Sequence, residues 1–172
     1  LRGVAFQYLR VLFNAGDNLV EHVWHGLTAD GQNVYVVRDD PAIDNRAGFE
    51  EAESSRRNVY RDNVIAGAKT NAFTMRGENG LIQSNLIGTR SDGTVPSIDP
   101  ARWCKPNARY NNWFGGAGVV VSGKFNTVEN NRIAGLLWPS DDPLNTPPTA
   151  ISIEDNDNTV RYLNELAEKE GL

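Results

Sequence analysis

The sequence predicts an all-β fold made of stacked coils, and three observations support this. Short segments of strand-forming residues recur along the chain, each followed by a polar turn and a second apolar step. Apolar residues fall into columns when these segments are aligned, and Asn or Gly occupies the turn between the two steps. Because one such coil cannot bury its own apolar face, neighbouring coils are expected to stack and share a core.

The aligned segments identify the residues that point inward. They match without a gap in four places, VLFNAGDNLV (11–20), FTMRGENGLI (73–82), VVVSGKFNTV (119–128) and ISIEDNDNTV (151–160). Strand side chains alternate between two faces, so every second residue faces the inside of a coil. The predicted inward columns are Val11, Phe73, Val119 and Ile151; Phe13, Met75, Val121 and Ile153; Val20, Tyr60, Ile82, Val128 and Val160; and Ile65, Ile87 and Ile133.

Two columns of turn residues lie between these apolar positions. The first holds only Asn and Gly, namely Asn18, Asn58, Gly80, Asn126 and Asn158. Since Asn and Gly tolerate positive φ best, a left-handed bend is predicted at these positions. The second column consists of Asn63, Asn85 and Asn131, whose stacked amides are expected to bond the turn backbone above and below.

The repeat length narrows the architecture. A coil takes about 22 residues, which is too short for a propeller blade, and no leucine-rich or helical repeat signature occurs. Later steps are longer, as expected where loops are inserted between strands. The coil at 39–57 fits the repeat pattern worst, because EEAESSRR supplies few inward apolar residues. We predict that it forms an outward loop or a distorted rung.

The pattern Asn-x-apolar-x-x-Asn-x-Ile-x-Gly, seen in NVYRDNVIAG (58–67) and NTVENNRIAG (126–135), resembles the right-handed parallel β-helix superfamily. NLIGTRSDGT (85–94) adds to the likeness. This superfamily includes pectate-lyase-like enzymes, polysaccharide epimerases and viral tailspikes. The resemblance implies a right-handed parallel β-helix over residues 1–163, with loop insertions at 90–118 and 136–149. Residues 164–172, which include NELAEKEG, are predicted to form a short C-terminal helical cap.

Composition excludes some partners. The chain has 22 acidic against 17 basic residues and lacks a Lys/Arg-rich run, so a nucleic-acid partner is not expected. No apolar run approaches the roughly 20 residues of a membrane helix. A single cysteine, Cys104, excludes an internal disulfide. The chain begins LRGVAF, in strand pattern and without Met, so a preceding segment or a partner subunit is expected to cover this end.

The chain does not contain the complete catalytic motifs of related enzyme families, so no catalytic residue is assigned from them. Polygalacturonase-like hydrolases share NTD, DD, Gly-His-Gly and Arg-Ile-Lys elements, of which only the pair Asp39–Asp40 is present here. His22 and His25, three positions apart on a strand, should face opposite ways, which argues against joint metal ligation. No metal site is therefore predicted. Calcium is left open, because oxygen ligands are available from a set of turn carboxylates, Asp141, Asp142, Glu154, Asp155 and Asp157.

The two insertions are the strongest functional lead. Both leave the same coil position, after Gly88-Thr89 and after Gly135, so they should emerge as neighbouring walls. Saccharides bind through C–H faces stacked on aromatic rings and through hydroxyls held by polar groups. The predicted substrate-binding residues are therefore Arg102, Trp103, Tyr110, Trp113 and Trp138. The alternative is that these aromatic side chains only pack the loops onto the coil wall.

If the protein is an enzyme, we expect glycosidic cleavage by a carboxylate pair. Asp141 or Asp142 would come from the second insertion, and Glu154 or Asp155 from the adjacent coil edge. The expected substrate is a polysaccharide, and the expected location is extracellular or virion-associated. The competing class is a non-catalytic structural or adhesive scaffold.

The coil exterior suggests assembly. Its outward column is apolar to neutral and contains Leu12, Thr74, Val120 and Ser152. Together with the resemblance to tailspikes, this column predicts a homotrimer, and the alternative is a monomer.

Overall fold

The computed structural model describes residues 1–6, 10–32, 48–66, 71–95, 118–135 and 149–161, and the structural statements below concern these residues. They contain no helix. Their strands are β1 Ala5–Phe6, β2 Val11–Phe13, β3 Leu19–Glu21, β4 Trp24–His25, β5 Phe49–Glu51, β6 Val59–Arg61, β7 Val64–Ile65, β8 Phe73–Met75, β9 Leu81–Gln83, β10 Leu86–Ile87, β11 Val119–Val121, β12 Thr127–Glu129, β13 Arg132–Ile133, β14 Ile151–Ile153 and β15 Thr159–Arg161. The predicted cap at 164–172 lies outside the described residues.

The strands form three parallel sheets of five strands each. We call them the first sheet (β2, β5, β8, β11, β14), the second sheet (β3, β6, β9, β12, β15) and the third sheet (β1, β4, β7, β10, β13). From β4 onward, each strand pairs with the strand three places earlier in the chain. This arrangement is compatible with the predicted parallel β-helix. The all-β prediction is confirmed. Equivalent asparagines on neighbouring coils lie 40, 22, 46 and 32 positions apart, so among these steps only one has the predicted length.

The inward columns form the core. In the second sheet Val20, Tyr60, Ile82, Val128 and Val160 pair in register, as predicted. Val121, Ile82, Val128 and Ile133 are all buried. The last described coil differs, because Ile153 and Val160 keep 42% and 40% of their surface exposed. Within the described residues, therefore, no further coil covers that end of the stack.

Aromatic side chains fill the middle of the core. The rings of Phe49 and Phe73 stack with centroids 5.6 Å apart, and Tyr60 meets Phe73 edge-on at 5.5 Å. Phe13 also meets Tyr60 edge-on, with ring centroids 5.7 Å apart. These separations lie within the range at which aromatic pairs attract beyond their buried area. Three successive coils are thus tied together by contacts between large side chains.

The prediction of an outward loop or a distorted rung at 39–57 is wrong for its described part. Phe49–Glu51 is an interior strand of the first sheet, paired with β2 on one side and β8 on the other. Phe49 is 1% exposed and continues the inward column between Val11 and Phe73. Counting apolar residues failed here because a carboxylate, Glu51, takes the second inward position of this coil.

The outward column of the first sheet also needs correction. Glu50 lies between Leu12 and Thr74 in register, so the column is not apolar to neutral throughout. Its carboxylate is buried and accepts hydrogen bonds from Arg10 Nη2 at 2.6 Å and from Arg76 Nη1 at 3.3 Å. The face that the sequence suggested for trimer contacts therefore carries an ion-paired group at its second coil.

The left-handed bends lie one residue before the predicted positions. Positive φ occurs at Asp17, Arg57, Asn79, Phe125 and Asp157, which precede the first turn column, and at His22, Asp62, Ser84 and Asn130, which lie at the equivalent positions of the second corner. The asparagines of the two turn columns are not left-handed. Their side chains instead turn inward, where the preceding bend places them, and bond to the neighbouring coil.

The asparagine ladders are confirmed. Asn131 Nδ2 donates to the carbonyl oxygens of Ile82 and Glu129, at 2.9 and 3.0 Å. Asn131 Oδ1 accepts from the backbone N–H of Asn85 at 2.9 Å. In the first turn column Gly80 supplies no side chain, and its N–H donates to Asn126 Oδ1 at 2.7 Å. This ladder is therefore interrupted at one coil.

Glu51 occupies the interior beside that interruption. Its Oε1 accepts from Asn58 Nδ2 at 2.9 Å and from the Tyr60 hydroxyl at 3.0 Å, and its Oε2 accepts from the Gly77 N–H at 3.3 Å. Burial raises the pKa of Glu51 above its ordinary value, and the three hydrogen bonds only partly offset this. Burial also raises the pKa of Tyr60, which therefore stays a neutral donor.

The free energy of unfolding of Glu51→Gln is expected to increase relative to that of the wild-type protein as the pH rises. A carboxyl group whose pKa is higher in the folded state binds more protons when folded, so its contribution is complete below the unfolded pKa. That contribution is lost as the pH rises through the folded pKa, whereas Gln does not titrate. Urea unfolding of both proteins from pH 4 to pH 8 measures the difference. A difference in free energy of unfolding that does not change with pH would contradict the raised pKa of Glu51.

Candidate functional site

The two insertions leave the coil at adjacent points. Gly88 and Gly135 follow the paired strands β10 and β13 and have φ of 79° and 66°. The Ala134 N–H donates to the carbonyl oxygen of Ile87 at 2.9 Å. A Cβ on Gly88 would collide with the carbonyl oxygen of Ala134, so the close approach requires glycine. The departure points are therefore neighbours, as their shared sequence position predicts.

Most of the predicted site residues lie outside the described part of the chain. This holds for the aromatic and basic residues of the first insertion and for the second insertion's tryptophan and carboxylates, namely Arg102, Trp103, Tyr110, Trp113, Trp138, Asp141 and Asp142. Asp39, Asp40 and Cys104 also lie outside it. The roles assigned to these residues stay predictions.

The other two predicted carboxylates begin the turn after β14. Glu154 is exposed, and its N–H donates to the carbonyl oxygen of Val121 at 2.8 Å. Asp155 is partly exposed, and its Oδ1 accepts from the Asn156 N–H at 2.7 Å. This turn joins the first sheet to the second, whereas residues 136–149 join the third sheet to the first. The pairing of Glu154 or Asp155 with Asp141 or Asp142 stays a prediction.

The start of the first insertion is anchored on an earlier turn. GTRSDGT (88–94) is similar to GLTADGQ (26–32), and both stretches lie outside the four segments that align without a gap. Both the N–H and the hydroxyl of Ser91 donate to the carbonyl oxygen of Gly31 at 3.2 Å. Hydrogen bonds from Thr28 and Thr94 lower the pKa values of Asp30 and Asp92. These carboxylates therefore stabilise their own turns, and the two turns brace each other.

Metal-binding groups are not clustered in the described residues. No set of three or more His, Cys, Asp or Glu side chains within them is placed to hold an ion. His22 is exposed and His25 is 2% exposed, so the two histidines have the different environments that the sequence predicts.

A third surface was not found by sequence reasoning. Five stacked turns form the corner between the first and second sheets, and we call the last three of them, at 76–79, 122–125 and 154–157, the turn corner. Phe125 on this corner has φ 57° and is 54% exposed. The signal in the sequence was its position, because the equivalent residues on the other coils are all polar, namely Asp17, Arg57, Asn79 and Asp157.

No family model, curated protein or solved structure matches the chain. The likeness to the parallel β-helix superfamily is thus one of sequence pattern and sheet arrangement. None of the described residues belongs to a helix that is long and apolar enough to cross a membrane.

Proposed function

We propose that this chain is a right-handed parallel β-helix that binds a polysaccharide and acts outside the cell or on a virion. The observation that supports this best is the adjacency of Gly88 and Gly135. Neighbouring parallel strands lie about 4.8 Å apart, so two insertions rich in aromatic residues start side by side. A rigid coil that carries long loops is a common way to build a binding site.

The composition of the insertions suits a saccharide. In this proposal Trp103, Trp113 and Trp138 provide faces for the C–H surfaces of sugar rings, while Arg102 and Tyr110 bond to hydroxyl groups. Tryptophan combines a large apolar face with one hydrogen-bond donor, so it serves contacts with ligands that are both apolar and hydroxylated.

Cleavage of the bound polysaccharide is the catalytic form of this proposal. Asp141 or Asp142 would act with Glu154 or Asp155, one as the protonated acid and the other as base or nucleophile. The exposed position of Glu154 leaves it accessible to a substrate. Glycosidases hold such carboxylates about 5–10 Å apart, and a reducing-end assay on the wild-type protein measures cleavage directly. Cleavage by a lyase reaction is the other catalytic form of this proposal, and in that form turn carboxylates would bind a calcium ion.

Trp113→Ala and Trp138→Ala are expected to weaken saccharide binding by tenfold or more while the melting temperature stays within about 2 °C of wild type. Truncation removes stacking area in the insertions and leaves the apolar columns of the coil intact. Binding is measured on a glycan array and then by calorimetry. Leu19→Ala, on the exposed face of the second sheet, is the control and should change neither quantity. A lower melting temperature, together with no binding by the wild-type protein, would identify the tryptophans as packing anchors.

A non-catalytic scaffold is the second candidate, and the ion pairs of the coil favour it. Glu50, Glu21 and Asp17 each pair with an arginine on a neighbouring coil, so these charges serve stacking. A homotrimer belongs to this candidate. Light scattering tests it, because a trimer has three times the 19.0 kDa mass of the chain.

A further inference from the structure

Phe125 occupies a corner position where the fold requires a left-handed residue, and it is a residue type poorly suited to that conformation. A left-handed backbone crowds the Cβ of any residue other than glycine, and Asn and Asp tolerate it better than bulky residues do. Phe125 nevertheless adopts φ 57° and leaves 54% of its surface in solvent. An aromatic side chain that is both strained and exposed points to a role in contact with a ligand.

Polar residues occupy the positions equivalent to Phe125 on the coils before and after it. Asn79 lies on the preceding coil, where its N–H donates to the carbonyl oxygen of Lys124 at 3.1 Å. Asp157 lies on the following coil, which is held by the bond from the Asn126 N–H to Asn158 Oδ1 at 2.9 Å. Among the described residues, the side chains of Asn79 and Asp157 form no hydrogen bond. Strand spacing puts each of them about 4.8 Å from the position of Phe125.

The charges around the ring limit the ligand further. Within the described turn corner, Glu78, Glu154, Asp155 and Asp157 supply four carboxylates, and the cations there are Lys124 and Arg76. Arg76 is paired with Glu50, while Glu78 is paired with Arg56 of the preceding turn in the same stack at 3.4 Å. The remaining charge is negative, and the chain as a whole carries −5. A uronic acid or a sulfated sugar would be repelled here.

We propose that Phe125 is the stacking platform of a saccharide subsite for neutral or amino sugars, and that Asn79 and Asp157 bind their hydroxyl groups. This inference rests on the proposed polysaccharide function. A protein partner fits less well, because stable interfaces bury about 800 Å² per partner around an apolar centre, whereas most other residues of the turn corner are polar or charged. A three-residue strand spans about 10 Å, so a polysaccharide bound between the insertions reaches this corner across the first sheet.

Phe125→Asn tests the subsite. The probes are cellohexaose and a chitosan hexamer, with hexagalacturonate as the acidic comparison, and the readouts are calorimetric affinity and melting temperature. We expect the variant to bind the first two probes at least tenfold more weakly and to melt about 2–4 °C higher, because Asn relieves the left-handed strain. Phe125→Trp keeps an aromatic face and should retain the affinity. The wild-type protein should bind hexagalacturonate least.

Each other outcome overturns a defined part of the inference. Unchanged affinity of Phe125→Asn, with weaker binding by Trp113→Ala, would remove the subsite and leave the proposed function standing. A melting temperature several degrees lower than wild type would make Phe125 a packing residue and would also remove the subsite. Tightest binding of hexagalacturonate would overturn the neutral or amino-sugar specificity. No binding of any probe by the wild-type protein would overturn the subsite and the saccharide function together.

Discussion

Val121→Asp is expected to lower the free energy of unfolding by about 3–5 kcal/mol, which is a large share of the stability of a typical domain. Val121 is 0% exposed and lies in register between Met75 and Ile153. A carboxylate at this position would be surrounded by apolar side chains, and no cation in the described core would compensate it. Urea unfolding monitored by circular dichroism measures the loss, and we expect a large fraction of the variant to be unfolded at 37 °C.

Val120→Asp is the matched control, because it places the same charge one residue away on the same strand. Val120 points outward, is partly exposed and pairs with Thr74 and Ser152. An outward carboxylate stays hydrated, so we expect a loss of about 1 kcal/mol or less. If Val120→Asp unfolded the protein while Val121→Asp kept the wild-type melting temperature, the two faces of this strand would have been assigned the wrong way round.

The strand alternation was predictable because the inward positions recur at the same offset in each aligned segment, as in Leu81–Gln83, Val119–Val121 and Thr127–Glu129, where more and less buried residues alternate. Val121 and Ile133 were assigned to the interior from alignment alone, and both are buried. A one-residue error would have inverted every side chain of a strand, so the repeated segments fixed the register jointly. The stacked amides of Asn85 and Asn131 were predictable for the same reason, since one residue type recurs at one offset.

Strand β5 was not predictable from apolar content. Its inward Glu51 is acceptable only because Asn58, Tyr60 and Gly77 donate to it, and these donors come from two later segments of the chain. Asn58 and Tyr60 belong to the next segment of the same coil and Gly77 lies on the following coil, so counting apolar residues within 39–57 misses all three donors. The left-handed residues lie one position before the predicted ones. The asparagines use their side chains for ladder bonds, and these bonds require the bend to come before them.

The candidate site was less predictable than the coil, because insertions break the repeat that makes the coil readable. Their starting points, Gly88 and Gly135, follow from the alignment, but no column constrains the residues beyond them. Phe125 was missed because its segment was aligned for its apolar and asparagine positions. The equivalent residues on the other four coils are polar. An aromatic residue at this position is unusual only because the position is left-handed, which the structure shows and the sequence does not.

Asn85→Asp is expected to lower the free energy of unfolding by about 3 kcal/mol at pH 7, although it changes only an amide into a carboxylate. Asn85 is 0% exposed. Its Oδ1 accepts from the N–H and the Nδ2 of Asn63 at 2.9 Å. Its Nδ2 donates to the carbonyl oxygens of Tyr60 and Gln83 and to Asn131 Oδ1, at 2.9–3.0 Å. Aspartate keeps the accepting half of this arrangement and loses the donating half, so three oxygens face a buried charge.

The pH dependence and the position along the ladder make this prediction specific. Burial among oxygens should raise the pKa of the new carboxyl group, so the deficit against wild type grows as the pH rises from 4 to 8. Asn158→Asp is the control at the partly exposed end of the other ladder, where, among the described residues, Nδ2 donates to two carbonyl oxygens, those of Gly123 and Asp155. Water can replace those bonds, so we expect a loss of about 1 kcal/mol. Equal losses in the two variants would mean that a central amide stabilises the stack no more than a terminal one, and the ladder would then not be the element that holds the coils in register.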